Sequence, residues 1–475
     1  MSQKTVSYMV DPQIPSSFMS KLFEFIYKGF LLRQAERYSV VSRTTVQGKP
    51  SLVYDIRDSS GNRSIKVEIQ GSKPLSLTIS PLSENVPEKD LMQAKENIDL
   101  VIDYFEDQVR SNTIFFAWRE GESIVPESVS GKENSSLRRM FSETQIMLML
   151  IFMGAGLLLF YIVGPFLPII LISIQFLFVF YSNKIIARTA DWTITEENPT
   201  IHLLQYPLPL EEGQQDKNIS DKEILSLKKE IYDETIGKTG ALNCQVAQPM
   251  FSKYGIECNQ ENMMSTKVNV YEIVKKVADR FGFPMPKIVI SNTILPNAAA
   301  SGPSPSRGIV LITTGLFAQL NEDEIISVLG HEFGHLKGRD PLWLYGLTAV
   351  QYLLWFYLIF GAFTNISYFT FFLYFWGIMV LTYFIAKFFE ARADLISAMV
   401  IKQPEVFSDA LEKMGFKRLL LERSPMFRVQ EWLSFDPHPP IYFRIERLKN
   451  IGQEEIKHPL LRSAKEVILG FLHSF

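Results

Sequence analysis

The sequence predicts an α+β protein, mostly helical, that enters a membrane as two helical hairpins, four transmembrane helices in all, and carries a small α+β soluble domain at its N-terminal end. Three observations support that prediction. No Asp, Glu, Lys or Arg occurs between Glu143 and Lys184, or again between Asp340 and Lys387, so the low charged share of 21% reflects two local deficits. Elsewhere charge runs at about one residue in four, ordinary for soluble protein. Apolar residues alternate with polar ones between 50 and 80, the period of strands, and recur at helical spacing from Asn321 onward. The expected organisation is a cytoplasmic α+β domain at 1–140, a transmembrane hairpin at 144–183, and a third unit at 184–475 interrupted by a second hairpin at 342–386. A length of 475 residues suits two to four units.

In the first domain, Leu52, Tyr54 and Ile56 form one alternating run; Ile65, Val67 and Ile69 form a second, and Leu75, Leu77 and Ile79 a third. With the turn-rich Asp58-Ser-Ser-Gly-Asn62 after the first run, they predict a three-stranded meander. Leu91, Ala94, Ile98, Val101, Ile102 and Phe105 then predict a helix from about Glu88 to Arg110. Phe18 to Leu32 reads as an amphipathic helix, either packed on the sheet or lying on a membrane surface. No apolar run precedes it, so no cleavable signal peptide is expected.

The first uncharged stretch divides at Gly164-Pro165 into Ile146–Val163 and Phe166–Tyr181; the second divides at Thr364–Ser367 into Leu342–Phe363 and Tyr368–Ala386. Each piece spans about 24 Å or more at 1.5 Å per residue. Buried core helices are the alternative, but four long uncharged helices exceed what a soluble core of this size would hide. Arg138, Arg139, Lys184 and Arg188 flank one hairpin, and Lys337, Arg339, Lys387 and Arg392 the other, while the tips are uncharged. The positive-inside rule then puts every soluble segment in the cytoplasm of a multi-pass inner or plasma membrane protein.

Between the hairpins the polar stretch 192–269 holds a helix from Asp221 to Glu234, followed by a helix at Val268–Phe281 and strands at Lys287–Ile290 and Gly308–Thr313. A formal net charge of −3 gives no electrostatic reason to expect nucleic acid. Cys244 and Cys258 sit in no C-x-x-C pattern; they could pair or bind metal, but read as two unremarkable thiols in a reducing compartment.

The chemistry concentrates in Leu320-Asn-Glu-Asp-Glu-Ile-Ile-Ser-Val-Leu-Gly-His-Glu-Phe-Gly-His-Leu-Lys-Gly338. Asn321 and Glu324 form a capping-box pattern, and Gly338 is a natural stop. On that helix His331 and His335 share one face and can bind one metal, while Glu332 can reach water beside it. A catalytic zinc site needs a third ligand from elsewhere. Glu390 in Phe388-Phe-Glu-Ala-Arg-Ala-Asp394 is the candidate, with Asp394 one turn on to hold a ligand histidine or an arginine. Asp340 is too near His335 in sequence to serve, and Glu390 read by spacing alone could be a juxtamembrane charge.

These residues, with Pro296-Asn-Ala-Ala-Ala300, Thr313-Thr-Gly-Leu316, His438-Pro-Pro440 and Arg444, resemble the membrane metalloprotease family that includes the HtpX heat-shock protease and the CAAX prenyl proteases. The resemblance runs from about Lys287 to Lys449 and implies a zincin-type protease domain. It implies Zn²⁺ held by His331, His335 and Glu390, with Glu332 as general base and His438 and Arg444 facing the scissile carbonyl. It also implies that Asn297, Ala298, Ala299 and Ala300 lie on an edge strand that pairs with substrate backbone. By sequence alone His438 could be structural and Arg444 a salt-bridge or phosphate contact. Four spans look more like HtpX than the prenyl proteases. The 140-residue N-terminal domain and the polar insert depart from HtpX and leave substrate and regulation open.

The expected function is a membrane-embedded zinc endopeptidase acting on membrane or misfolded polypeptides at the cytoplasmic face, with the lipid bilayer and polypeptide substrates as partners and the oligomeric state open. A CAAX prenyl endopeptidase and a metal-dependent membrane scaffold or sensor are the alternatives.

Overall fold

The computed structural model describes residues 5–46, 49–58, 60–71, 73–83, 86–119, 161–208, 221–362, 368–422, 424–451 and 457–474. The chain separates into two compact units: Met1–Phe116 with Leu204–Thr266, and Ala117–Leu203 with Lys267–Phe475. The polar insert after the first hairpin thus belongs largely with the N-terminal residues.

In the first unit, strands β1 (Val6–Val10), β2 (Tyr38–Val46), β3 (Lys49–Arg57), β4 (Arg63–Gln70) and β5 (Leu75–Pro81) form an antiparallel sheet in the order β1-β5-β4-β3-β2. The predicted meander is β3-β4-β5, in which Leu52 pairs with Ile69 and Ile69 with Leu77. All three are fully buried, so register follows the apolar face. The helix Glu88–Ser111 covers the sheet with Leu91, Ala94, Ile98, Ile102 and Phe105. The helical stretch from Met19 to Gln34 buries Leu22, Phe23, Ile26 and Leu31 in the same core, which selects packing on the sheet over a membrane surface.

Cys244 and Cys258 are joined in a disulfide, with Cα atoms 5.4 Å apart. This corrects the reading as two unremarkable thiols in favour of the pairing that the sequence left open. The helix Cys244–Ser252 and the segment after it double back, and Gln248 Oε1 accepts the Cys258 N–H at 2.8 Å. A low cysteine count rules out a disulfide framework but not one local pair.

The second unit contains strands within Trp192–Ile194 (β7), Lys287–Ser291 (β10), Ala298–Ser301 (β11) and Ile309–Thr313 (β12), in the sheet order β11-β12-β10-β7. Three other strands, Thr113–Arg119 (β6), Thr200–Pro207 (β8) and Met264–Asn269 (β9), make a third sheet, and the unit boundaries fall within them. The helices of the second unit that matter here are α1 (Leu167–Phe180), α2 (Glu322–Gly338), α3 (Asp340–Ala362), α4 (Tyr368–Ile401) and α5 (Pro459–Leu472).

Among the described residues two helices are long and apolar enough to cross a membrane, Tyr161–Phe180 and Phe372–Ile401. Four were expected. Ile146–Val163 falls almost wholly outside the described residues, as do Arg138, Arg139 and the tip Thr364–Ser367. Helix α3 occupies the third expected position and carries no charge after Asp340. At the expected turn, Gly164 has φ +63°, a left-handed conformation that breaks the helical path. Helices α1, α3 and α4 are bonded side by side: Tyr345 Oη donates to Ile172 O at 3.0 Å, and Thr382 Oγ1 to Gln351 Oε1 at 2.6 Å.

Candidate active site

Helix α2 begins as its sequence dictates. Asn321 Oδ1 accepts the Glu324 N–H at 3.0 Å, and Glu324 Oε2 accepts the Asn321 N–H at 2.9 Å, a complete capping box. It ends differently. Gly338 is still helical, and the left-handed residue is Arg339, φ +55°. The need for glycine at 338 is spatial, because a Cβ there would lie 1.6 Å from Arg392 Nη2.

Gly338 is the last of three. Cβ atoms at Gly330 and Gly334 would lie 2.7 Å from Ser397 Oγ and 3.0 Å from Ala393 Cα, both on α4. Spaced four apart, the three glycines share one face of α2, and their bare backbone lets α4 approach closely. His331 and His335 each follow one of these glycines, so the close approach brings α4 to the histidines.

The result is a cluster in which ligand atoms of His331, His335 and Glu390 lie within 4.8 Å of one another. His331 Nε2 is 3.1 Å from His335 Nε2 and 3.4 Å from Glu390 Oε2, and His335 Nε2 is 3.5 Å from Glu390 Oε1. Tetrahedral zinc with ligands at about 2.0–2.1 Å requires separations of about 3.3 Å, so the donor set and its spacing fit that ion. Among the described residues Glu390 Oε2 is buried without a hydrogen-bond partner, as a carboxylate oxygen reserved for a cation would be.

Each histidine is held from behind by a carboxylate. His331 Nδ1 lies 2.8 Å from Asp394 Oδ1, and His335 Nδ1 lies 2.8 Å from Asp340 Oδ2. Both carboxylates are themselves anchored by arginines. Arg392 bonds Asp340, and Arg444 makes a two-point contact with Asp394 through Nε at 2.9 Å and Nη2 at 2.7 Å. The two histidines face each other through Nε2 atoms, with a carboxylate beside each Nδ1. Burial alone would drive the proton from His331, but Asp394 and then Glu390 outweigh it and raise the imidazole from 6.5 to about 10.

Sequence reasoning missed three features here: the Asp340–Arg392 pair, the glycine face, and the degree to which Arg444 is committed to Asp394. Asp340 was set aside as too near to be a ligand, but closeness is what lets it hold His335. The three-glycine spacing was visible but was not connected to an approaching helix.

His438 arrives from the segment before the helix Ile441–Lys449, its Nε2 3.4 Å from Glu390 Oε2 and nearly half of its side chain exposed. Asp436 Oδ1 accepts the His438 N–H at 2.8 Å and lies 2.8 Å from its Nδ1. The Glu390 charge raises the His438 pKa most; burial opposes that and Asp436 adds to it. Lys387, fully buried, donates to the carbonyls of Asp436 and His438 and fastens this segment to α4.

Strand β11 is the outer strand of its sheet, antiparallel to β12 with Ala298 opposite Ile312 and Ala300 opposite Val310. Thr313 donates its N–H to Asn297 O at 3.0 Å. Antiparallel alternation therefore turns the backbone groups of Asn297 and Ala299 toward β12, and those of Ala298 and Ala300 toward the open edge. Ala300 donates its N–H to Glu332 Oε2 at 2.8 Å, placing the carboxylate directly between the strand edge and the histidine helix.

The profile of peptidase family M48 matches residues 265–452. A protease HtpX homolog from Thermococcus kodakarensis is 32% identical over 223 residues, covering 39% of this chain and 74% of that protein. One from Gemmatimonas aurantiaca is 28% identical over 223 residues, covering 38% and 75%. Among solved structures, S. mikatae Ste24p is similar at 19% identity and a TM-score of 0.33, over 38% of this chain and 50% of that one.

Proposed function

Because the chain belongs to peptidase family M48, we propose that it is a membrane-embedded, zinc-dependent endopeptidase that cleaves membrane or misfolded proteins beside the bilayer. The observation that supports this best is the convergence of His331, His335 and Glu390 within 4.8 Å, with Glu332 next to the first histidine and bonded to a strand edge. The site faces the side that carries Lys184, Arg188, Lys337, Arg339 and Lys387, which the positive-inside rule makes the cytoplasm.

His331, His335 and Glu390 would hold Zn²⁺, which when bound supplies Lewis acidity toward a carbonyl and acidifies water at an open position. A polypeptide lies extended along β11, bonded through the outward backbone groups of Ala298 and the carbonyl of Ala300, whose N–H is held by Glu332, so that it is held by main chain and read loosely by side chain. Glu332 takes a proton from the attacking water and passes it to the leaving amine. His438, fixed by Asp436 and half exposed, donates to the oxygen that gains charge. Arg444, with two donors spent on Asp394, acts chiefly by holding that carboxylate against His331, and through it the ligand set.

The relatives named above are HtpX homologs, which favours this reading over a prenyl protease. A carboxylate at 332 gives a purely structural metal site nothing, which weighs against a scaffold. The test is Glu332→Gln: zinc content stays at the wild-type level, and cleavage of an unfolded membrane-protein substrate falls at least about 100-fold. Cleavage at the wild-type rate would refute the mechanism.

A further inference from the structure

Helix α5 has two apolar faces, and the fold uses only one. Ser463 and Val467 are fully buried, and Val467 shares a cluster with Ala391 and Trp432 to which Phe384, Phe388, Phe443 and Phe471 add. The other face is open: Leu461 is 69% exposed, Ile468 44% and Leu472 58%. Seven and then four residues apart, those three lie in one stripe. After Glu466 the helix carries no Asp, Glu, Lys or Arg.

Where this stripe lies gives it a partner. The Phe471 ring is 5.4 Å from that of Phe384, inside the uncharged stretch of α4 and three residues before Lys387, the first charge. The last turn of α5 therefore stands beside the last uncharged turn of α4. A second element reaches the same level, since Phe435, 44% exposed, has its ring 5.8 Å from that of Tyr383. The open stripe and Phe435 thus continue an apolar surface that begins on the span itself.

We infer that α5 is a membrane-interface helix whose Leu461, Ile468 and Leu472 face, together with Phe435, is covered by lipid of the same leaflet. Lys465, exposed and in line with the stripe between Leu461 and Ile468, can extend its ammonium to the headgroups. Burial of α5 on one side and lipid on the other holds the Trp432 layer against α4, close to Glu390 and His438, so that the site sits at the bilayer surface. The inference rests on α4 crossing the membrane, and its test separates the two ideas.

The wild-type protein is reconstituted in phosphatidylethanolamine and phosphatidylglycerol vesicles that contain a lipid with a photoactivatable diazirine in its acyl chain. After illumination and trypsin, lipid adducts are mapped by mass spectrometry. Adducts are expected on the peptide covering 368–387 and on the peptide 466–475. In a variant with Ile468→Glu and Leu472→Glu, adducts on the second peptide fall about tenfold while zinc content and adducts on the first persist. Adducts on 368–387 but none on 466–475 overturn the inference and leave the spanning reading intact. Adducts on neither overturn both. A lysine cross-linker that joins Lys465 of two copies, with 466–475 free of adducts, assigns the stripe to a second copy instead and overturns lipid as its cover.

Discussion

Asp340 binds His335 through Nδ1 at 2.8 Å and is itself gripped by Arg392, so it sets which imidazole nitrogen faces Glu390. Such partners behind a ligand typically contribute 10–100-fold in metal affinity. Zinc titrations of the wild type and Asp340→Asn at pH 6 and pH 8 should show that loss at both values. The pH effect has a fixed sign. In the metal-free site the His331 imidazole is raised to about 10, so throughout this range it holds a proton that must leave before the nitrogen can coordinate. Zinc affinity therefore weakens as pH falls, by about tenfold per unit for one displaced proton. An affinity that is flat between the two pH values would contradict the raised imidazole. At this scale the sequence was legible where spacing constrains chemistry, as in His331-Glu-x-x-His335. It was not legible where roles depend on contacts, because nothing in the spacing of Asp340, Arg392, Asp394 and Arg444 says which carboxylate pairs with which cation.

The helix pair α2 and α4 turns those residues into a site. Capping, apolar stripe and length of α2 could all be read from Asn321 to Gly338, since each depends on neighbours in the chain. The approach of α4 could not, although the three glycines that permit it sit in plain view. Gly334 is the sharpest case, with Ala393 backbone 3.0 Å from where a Cβ would be. Gly334→Val should push the helices apart, lower stability by about 1–3 kcal/mol and weaken zinc binding, because Glu390 travels with α4. Thermal unfolding and a zinc titration on the same variant check both. Wild-type zinc affinity in a destabilised Gly334→Val protein would mean that helix separation does not place Glu390. The uncharged helices show the same divide: α1, α3 and α4 announced themselves by composition, whereas the bonds from α3 to Ile172 and Thr382 are visible only in the fold.

Across the molecule the sequence showed local patterns more clearly than architecture. Meander and covering helix lie where periodicity put them, because each is a local pattern. The grouping of Leu204–Thr266 with Met1–Phe116, the two added strands β1 and β2 and the Cys244–Cys258 bond arise from pairing between distant segments, which one sequence does not encode visibly. The site is the same kind of object, since Glu390 reaches His331 and His335 only after the chain has passed through α3 and α4. The central claim is that these three side chains jointly hold one zinc ion. The most direct test is metal analysis of the purified protein with X-ray absorption at the zinc edge, alongside Glu390→Ala. The account predicts one zinc per chain, with two nitrogen and at least one oxygen ligand at about 2.0–2.2 Å and no sulfur, and loss of the ion in Glu390→Ala. Zinc retained in full with an unchanged shell after that substitution would contradict it.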